Sequence, residues 1–114
     1  GRGELKYPNG AVYEGDIIRG KRHGFGELYH VQENKKYFGG FSEDLKDGFG
    51  VEVMGNGERY YGGWKNGLYH HMGTYQYIDG SYFQGEFKRG TRKGKGKLYL
   101  ATGDVIEGTW SGDK

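Results

Sequence analysis

Six basic side chains fall within ten residues, in the run Lys88-Arg89-Gly90-Thr91-Arg92-Lys93-Gly94-Lys95-Gly96-Lys97. Such a run can hold anionic lipid headgroups, at about 1 kcal/mol per residue near a charged surface. It can also attract nucleic acid. The simplest use is a solvated hairpin loop that keeps a sheet soluble and discourages edge pairing. Among ligands, an acidic phospholipid surface or an acidic protein ranks first, held by Lys88, Arg89, Arg92, Lys93, Lys95 and Lys97. Nucleic acid ranks last, because the formal net charge of the chain is only +2. Residues 1–57 carry 8 Lys/Arg against 9 Asp/Glu, and residues 58–114 carry 9 against 6. The second half therefore holds the basic excess.

Little else in the chain suggests a reaction. The four histidines are His23, His30, His70 and His71. His70 and His71 are adjacent, so in a strand they are expected to point to opposite faces and to make a poor metal site. There is no cysteine, which excludes disulfides and thiolate zinc and fits a reducing compartment. No Gly-x-Ser-x-Gly elbow or phosphate-binding Gly-x-x-x-x-Gly-Lys-Ser/Thr loop occurs. The expectation is a chain without catalysis, cofactor or metal.

The elements that position these side chains follow from glycine, which supplies 25 of 114 residues beside a single proline. Interior glycine costs a helix about 1 kcal/mol relative to alanine, so the composition argues against helices. The glycines lack the three-residue period of collagen. The aromatic content of 17%, with 11 tyrosines, is too high for a solvated coil. No apolar run approaches the ~18 residues of a spanning helix.

The glycines fall in a repeat. Tyr-x-Gly-x-Ile starts at Tyr13, Tyr-x-Gly-x-aromatic at Tyr37 and Tyr60, Phe-x-Gly-x-Phe at Phe83, and the unit opens again as Ile106-x-Gly-x-Trp110. Gly24-Phe25-Gly26, Gly48-Phe49-Gly50, His71-Met72-Gly73 and Gly94-Lys95-Gly96 follow at matching distances. The domain is thus read as 1–114: a partial unit over 1–12, units starting at 13, 37, 60 and 83, and a partial unit over 106–114. The chain lacks an initial methionine and reads as a piece of a longer protein. Turns at Asn9-Gly10, Glu33-Asn34, Asn56-Gly57, Asp79-Gly80 and Thr102-Gly103 join the units, and Asn-Gly or Asp-Gly predicts type I′ geometry. A loop of about six residues, holding Gly20, Gly67 or Gly90, is expected inside each unit before the second strand begins at the Gly-x-Gly. The prediction is all-β: an elongated, single-layer antiparallel meander of tandem hairpins.

Alternation then separates two faces. Tyr13, Gly15, Gly24, Gly26 and Leu28 share the repeat face, where rings can lie over bare glycine. Glu52 also falls there, which raises the prospect of a one-residue slip. The second face gathers Phe25, Phe38, Phe49, Val51, Val53, Tyr61 and Met72 into an apolar patch. A one-layer sheet has nothing to cover that patch unless it curls, so it is the candidate partner-binding surface. Its occupant is expected to be a protein partner, an adjacent domain of the parent protein, or a second copy in a homodimer.

The run Tyr13-Glu14-Gly15-Asp16-Ile17 with Gly20-Lys21-Arg22-His23-Gly24-Phe25-Gly26 closely resembles the MORN repeat (membrane occupation and recognition nexus). Lys6-Tyr7-Pro8-Asn9-Gly10 is similar to its turn portion, and the resemblance covers essentially the whole chain. It implies rows of hairpins in an elongated, groove-shaped sheet. It also implies a non-enzymatic scaffold for protein–protein or membrane-proximal attachment, cytoplasmic and membrane- or cytoskeleton-associated. Three departures stand out: His71 in place of a glycine, one extra residue within His30 to Lys36 with Asn34 at the turn glycine's place, and Asp44 and Asp113 at the loop-glycine position. The alternative is an aromatic–glycine repeat of the bacterial cell-wall type that binds carbohydrate or choline in aromatic cages. Against that, the chain has only Trp64 and Trp110, and it has the charged loop.

Overall fold

The computed structural model describes residues 1–113. Its strands are β1 (Arg2–Lys6), β2 (Val12–Ile18), β3 (Lys21–His30), β4 (Lys35–Ser42), β5 (Leu45–Val53), β6 (Arg59–Lys65), β7 (Leu68–Gln76), β8 (Tyr82–Lys88), β9 (Thr91–Tyr99) and β10 (Val105–Asp113). They form one antiparallel sheet in chain order, and no described residue is helical. The principal-axis extents are 46 × 24 × 18 Å. This is the meander that the repeat predicts.

The two turn types are exchanged relative to expectation. The loop inside each unit is a two-residue turn, not six residues, and the second strand begins at once. Arg19-Gly20, Glu43-Asp44, Asn66-Gly67 and Arg89-Gly90 all have positive φ at both positions, the requirement of type I′. Asp44 (φ 72) therefore keeps the conformation of the glycines it replaces. Between units only one residue is left-handed, as at Gly10 (φ 92), whose N–H donates to Tyr7 O at 2.9 Å. That is a type I turn closed by a glycine bulge. The reason lies in the side chains: Asn9, Asn56 and Asp79 each accept the amide two residues on, at 2.9 Å, which favours the ordinary turn over its mirror image. Asn34 (φ 52) takes the left-handed place in the longer turn at residues 31–34, where the extra residue was expected.

The repeat face is the core. Tyr13, Tyr37, Tyr60 and Phe83 are fully buried, with Phe41, Trp64 and Phe87 beside them. Their rings form an edge-to-face chain: Tyr13–Phe41–Tyr37–Trp64–Tyr60–Phe87–Phe83–Trp110, with successive centroids 4.9 to 5.4 Å apart. Such pairs contribute about 0.5–1.5 kcal/mol each beyond area burial. Each of the four buried repeat rings lies over the second glycine of its Gly-x-Gly, so a Cβ at Gly26, Gly50, Gly73 or Gly96 would collide with it.

A bulge follows the Tyr-x-Gly in every complete unit, between Gly15/Ile17, Gly39/Phe41, Gly62/Trp64 and Gly85/Phe87. The tyrosine hydroxyl donates to the carbonyl freed there: Tyr13 to Asp16 O at 2.8 Å, Tyr37 to Gly40 O at 2.8 Å and Tyr60 to Gly63 O at 2.7 Å. Burial pushes all three phenols above their ordinary pKa, so they stay protonated donors. Phe83 has no hydroxyl to give.

Glu52 has not slipped. It pairs with Tyr37 across the strands as Leu28 pairs with Tyr13. It is 5% exposed and is held by Lys46 Nζ at 2.9 Å and the Tyr69 hydroxyl at 3.1 Å.

His71 also fits, at φ 64 where Gly24, Gly48 and Gly94 have 92, 86 and 95. The left-handed residue breaks strand alternation, so the His70 and His71 rings lie together, 4.2 Å apart, and not on opposite faces. His71 is exposed. Replacing it with glycine should stabilise the sheet by about 1 kcal/mol, the cost of a left-handed non-glycine residue. Urea unfolding checks this, and an unchanged or lower midpoint would show that the imidazole contributes more than the strain costs.

Candidate functional site

The second face is a grid set by strand register. One row runs Glu4–Glu14–Glu27–Phe38–Val51–Tyr61–Thr74–Gln84–Lys97–Glu107, each directly opposite the next. It passes from acidic through apolar and neutral polar to basic before Glu107. A second row comes from the middle residues of the Gly-x-Gly motifs. Phe25 lies opposite Gly40, Phe49 opposite Gly63, Met72 opposite Glu86 and Lys95 opposite Thr109. These knobs are two strands apart, roughly 10 Å.

The apolar patch is open. Phe25 is 68% exposed, Phe49 and Met72 are each 63%, and Phe38 is 43%. Val51, Val53 and Tyr61 are half-buried. The sheet therefore does not curl enough for its central knobs to cover one another. A groove of about 840 Å³ runs along this face from Phe49, Tyr61 and Met72 past Gln84 to Lys95, Lys97 and Tyr99. The structure thus brings two basic residues and three apolar ones, expected as separate sites, into one groove.

The basic run itself is divided. Lys95 and Lys97 line the groove, while Lys88, Arg89 and Lys93 are exposed at or near the hairpin turn. Arg92 corrects the expectation of a surface role. It is buried on the repeat face, its guanidinium 5.3 Å from the Phe83 ring centroid and 5.8 Å from that of Trp110. Its cross-strand partner is Phe87, a core ring directly opposite it on β8.

Arg92 belongs to a set that the sequence reading missed. Arg22 lies over Tyr7 and Phe41, and Lys46 over Tyr37 and Trp64, at 5.1 to 5.4 Å. Tyr69 takes the same repeat position and stacks on Tyr60 at 3.9 Å. A cation over a ring face is attracted by its quadrupole, so this position closes the aromatic core. The signal was the repeat step itself, at 22, 46, 69 and 92.

The buried state of the repeat rings also bears on the carbohydrate alternative. Aromatic cages need open ring faces, and Tyr13, Tyr37, Tyr60 and Phe83 have none. Near the turns, burial and Lys46 lower the pKa of His30, and desolvation with the neighbouring His71 lowers that of His70. No cluster of three or more potential metal ligands occurs among the described residues.

The MORN repeat family model matches residues 13–31, 37–59, 60–82 and 83–105. No curated protein matches the chain. MORN repeats are non-enzymatic modules and generally serve as scaffolds for protein or membrane interaction. The four matches take in every complete hairpin unit built above, and the chain belongs to the MORN repeat family.

Proposed function

We propose that this chain is a binding scaffold whose interface is the exposed face carrying Phe25, Phe38, Phe49, Val51, Val53, Tyr61 and Met72. One observation supports the reading most directly: large apolar side chains stand more than 60% exposed in a line, on a sheet whose other face is packed into an aromatic core. An ordered apolar patch of that kind marks an interaction surface. The core makes the sheet a rigid platform, and the knobs and groove carry specificity. The partner is a protein, or a second copy. The lipid reading is the weaker one, because the basic run is divided between the groove, the core and the turn.

Phe49→Glu combined with Met72→Glu tests the proposal. Both residues are exposed, so the variant should keep its circular dichroism and unfolding midpoint. Proteins captured from a cytosolic extract by the wild-type chain should be lost from the variant, and any self-association should weaken. A folded variant with unchanged capture and unchanged sedimentation would rule this face out.

A further inference from the structure

We infer that the exposed face binds a second copy of this chain, sheet on sheet, with the strand order reversed. The inference rests on the reading of that face as an interface, and names its occupant. The face is complementary to itself in charge and in shape.

Consider a two-fold axis parallel to the strands that passes between β5 and β6. It lays β2 over β9 of the second copy, and leaves each row over its own counterpart. Glu14 then faces Lys97 of the second copy, since both belong to the same row. Asp16 faces Lys95 of the second copy at the level of the Gly-x-Gly knobs. Symmetry makes each contact twice. Glu14, Lys95 and Lys97 are exposed and directed to this face.

Shape follows the same operation. Phe49 meets Gly63 of the second copy, and Met72 meets Gly40, so two projecting side chains face bare backbone. On this backbone a Cβ at either glycine would strike a carbonyl, of His70 and Asp47 respectively. Phe25 lies over Glu86 of the second copy, whose carboxylate is already turned to the Lys95 amide at 3.1 Å. Glu4 meets Glu107 at the rim, where solvent screens like charges. The other stacking, with strand order kept, sets Glu14 against Glu14 and Lys97 against Lys97, which disfavours it.

The area suffices. Principal-axis extents of 46 and 24 Å give a footprint on the order of 1,100 Å², against about 800 Å² per partner in a standard interface. Two facing sheets pack about 10 Å apart, which turns two open single layers into one closed sandwich.

Sedimentation equilibrium on the 114-residue chain tests this. The wild type should be a dimer that weakens with salt. Glu14→Lys or Lys97→Glu alone should weaken it by about tenfold or more. Mixing the two single variants, or combining both changes in one chain, should restore it. The combined variant separates the stackings, because with strand order kept it would still oppose like charges. Among the described residues neither side chain has a hydrogen bond or ion pair within the chain, so folding is not at stake. A wild type that stays monomeric at the highest concentration the solution will hold overturns the inference. The capture experiment with the Phe49 and Met72 variant still decides the interface reading separately. A dimer indifferent to all the charge exchanges would also overturn it.

Discussion

Gly50→Ala should destabilise the protein by roughly 3 kcal/mol, the upper end of the usual cost of overpacking a closed core. The new methyl group would overlap the hydroxyl and ring edge of Tyr37. That ring cannot retreat. It is wedged edge-on between Phe41 and Trp64, at 5.1 and 5.0 Å between centroids, and its hydroxyl is tied to Gly40 O at 2.8 Å. Gly57→Ala is the matched control. Its φ is +97°, but nothing lies within 4 Å of the added atom. It should cost only backbone strain, about 1 kcal/mol. Urea unfolding followed by tyrosine fluorescence measures both. Two equal losses would mean that the ring cradle contributes nothing and that glycine serves the backbone alone.

The second large effect is electrostatic. Lys46→Met should cost about 3–5 kcal/mol, because it leaves the Glu52 carboxylate buried with a phenol as its remaining partner. Adding Glu52→Leu should recover most of that loss. The equivalent positions in the first and fourth units are Leu28 and Leu98, each opposite a repeat ring as Glu52 is opposite Tyr37. The two substituted side chains would then continue the apolar lining. Breaking a buried pair is costly, whereas replacing both partners with packed apolar groups is often neutral. A double variant no more stable than the single one would show that the pair is structurally irreplaceable.

These two cases mark what was legible in the sequence. The spacing of ring and glycine was readable, because Tyr13 over Gly26 recurs as Tyr37 over Gly50 and Tyr60 over Gly73. So was the assignment of faces, and with it the exposure of Phe25, Phe49 and Met72. The inner turns were not. Glu43-Asp44 contains no glycine, yet adopts φ 48 and 72, and the tight turn at its equivalents was hidden by assuming that a strand begins at its glycine pair. Glu52 looked like a register error, because its counterion Lys46 stands six residues away on the same strand, with the left-handed Gly48 between them. The cations over the rings were obscured for two reasons. Tyr69 breaks the charge pattern, and Arg92 sits in a basic run that invites a surface reading. The joining of Lys95 and Lys97 to the apolar groove depends on cross-strand register, which alternation along one strand does not supply.

The missing hydroxyl at Phe83 gives the sheet a direction in its cooperativity. Three units anchor the backbone at the bulge through the ring that fills the core, so opening the bulge there also disturbs the ring chain. In the fourth unit the two are uncoupled: the Glu86 carbonyl has no phenol, and the bulge can open while Phe83 stays packed. Repeat proteins unfold as linked neighbours and not all at once, and opening starts at the weakest link. Fraying of this sheet should therefore set in at the β8–β9 hairpin, beside Lys95 and Lys97, and leave the apolar middle of the exposed face as the last part to lose its shape.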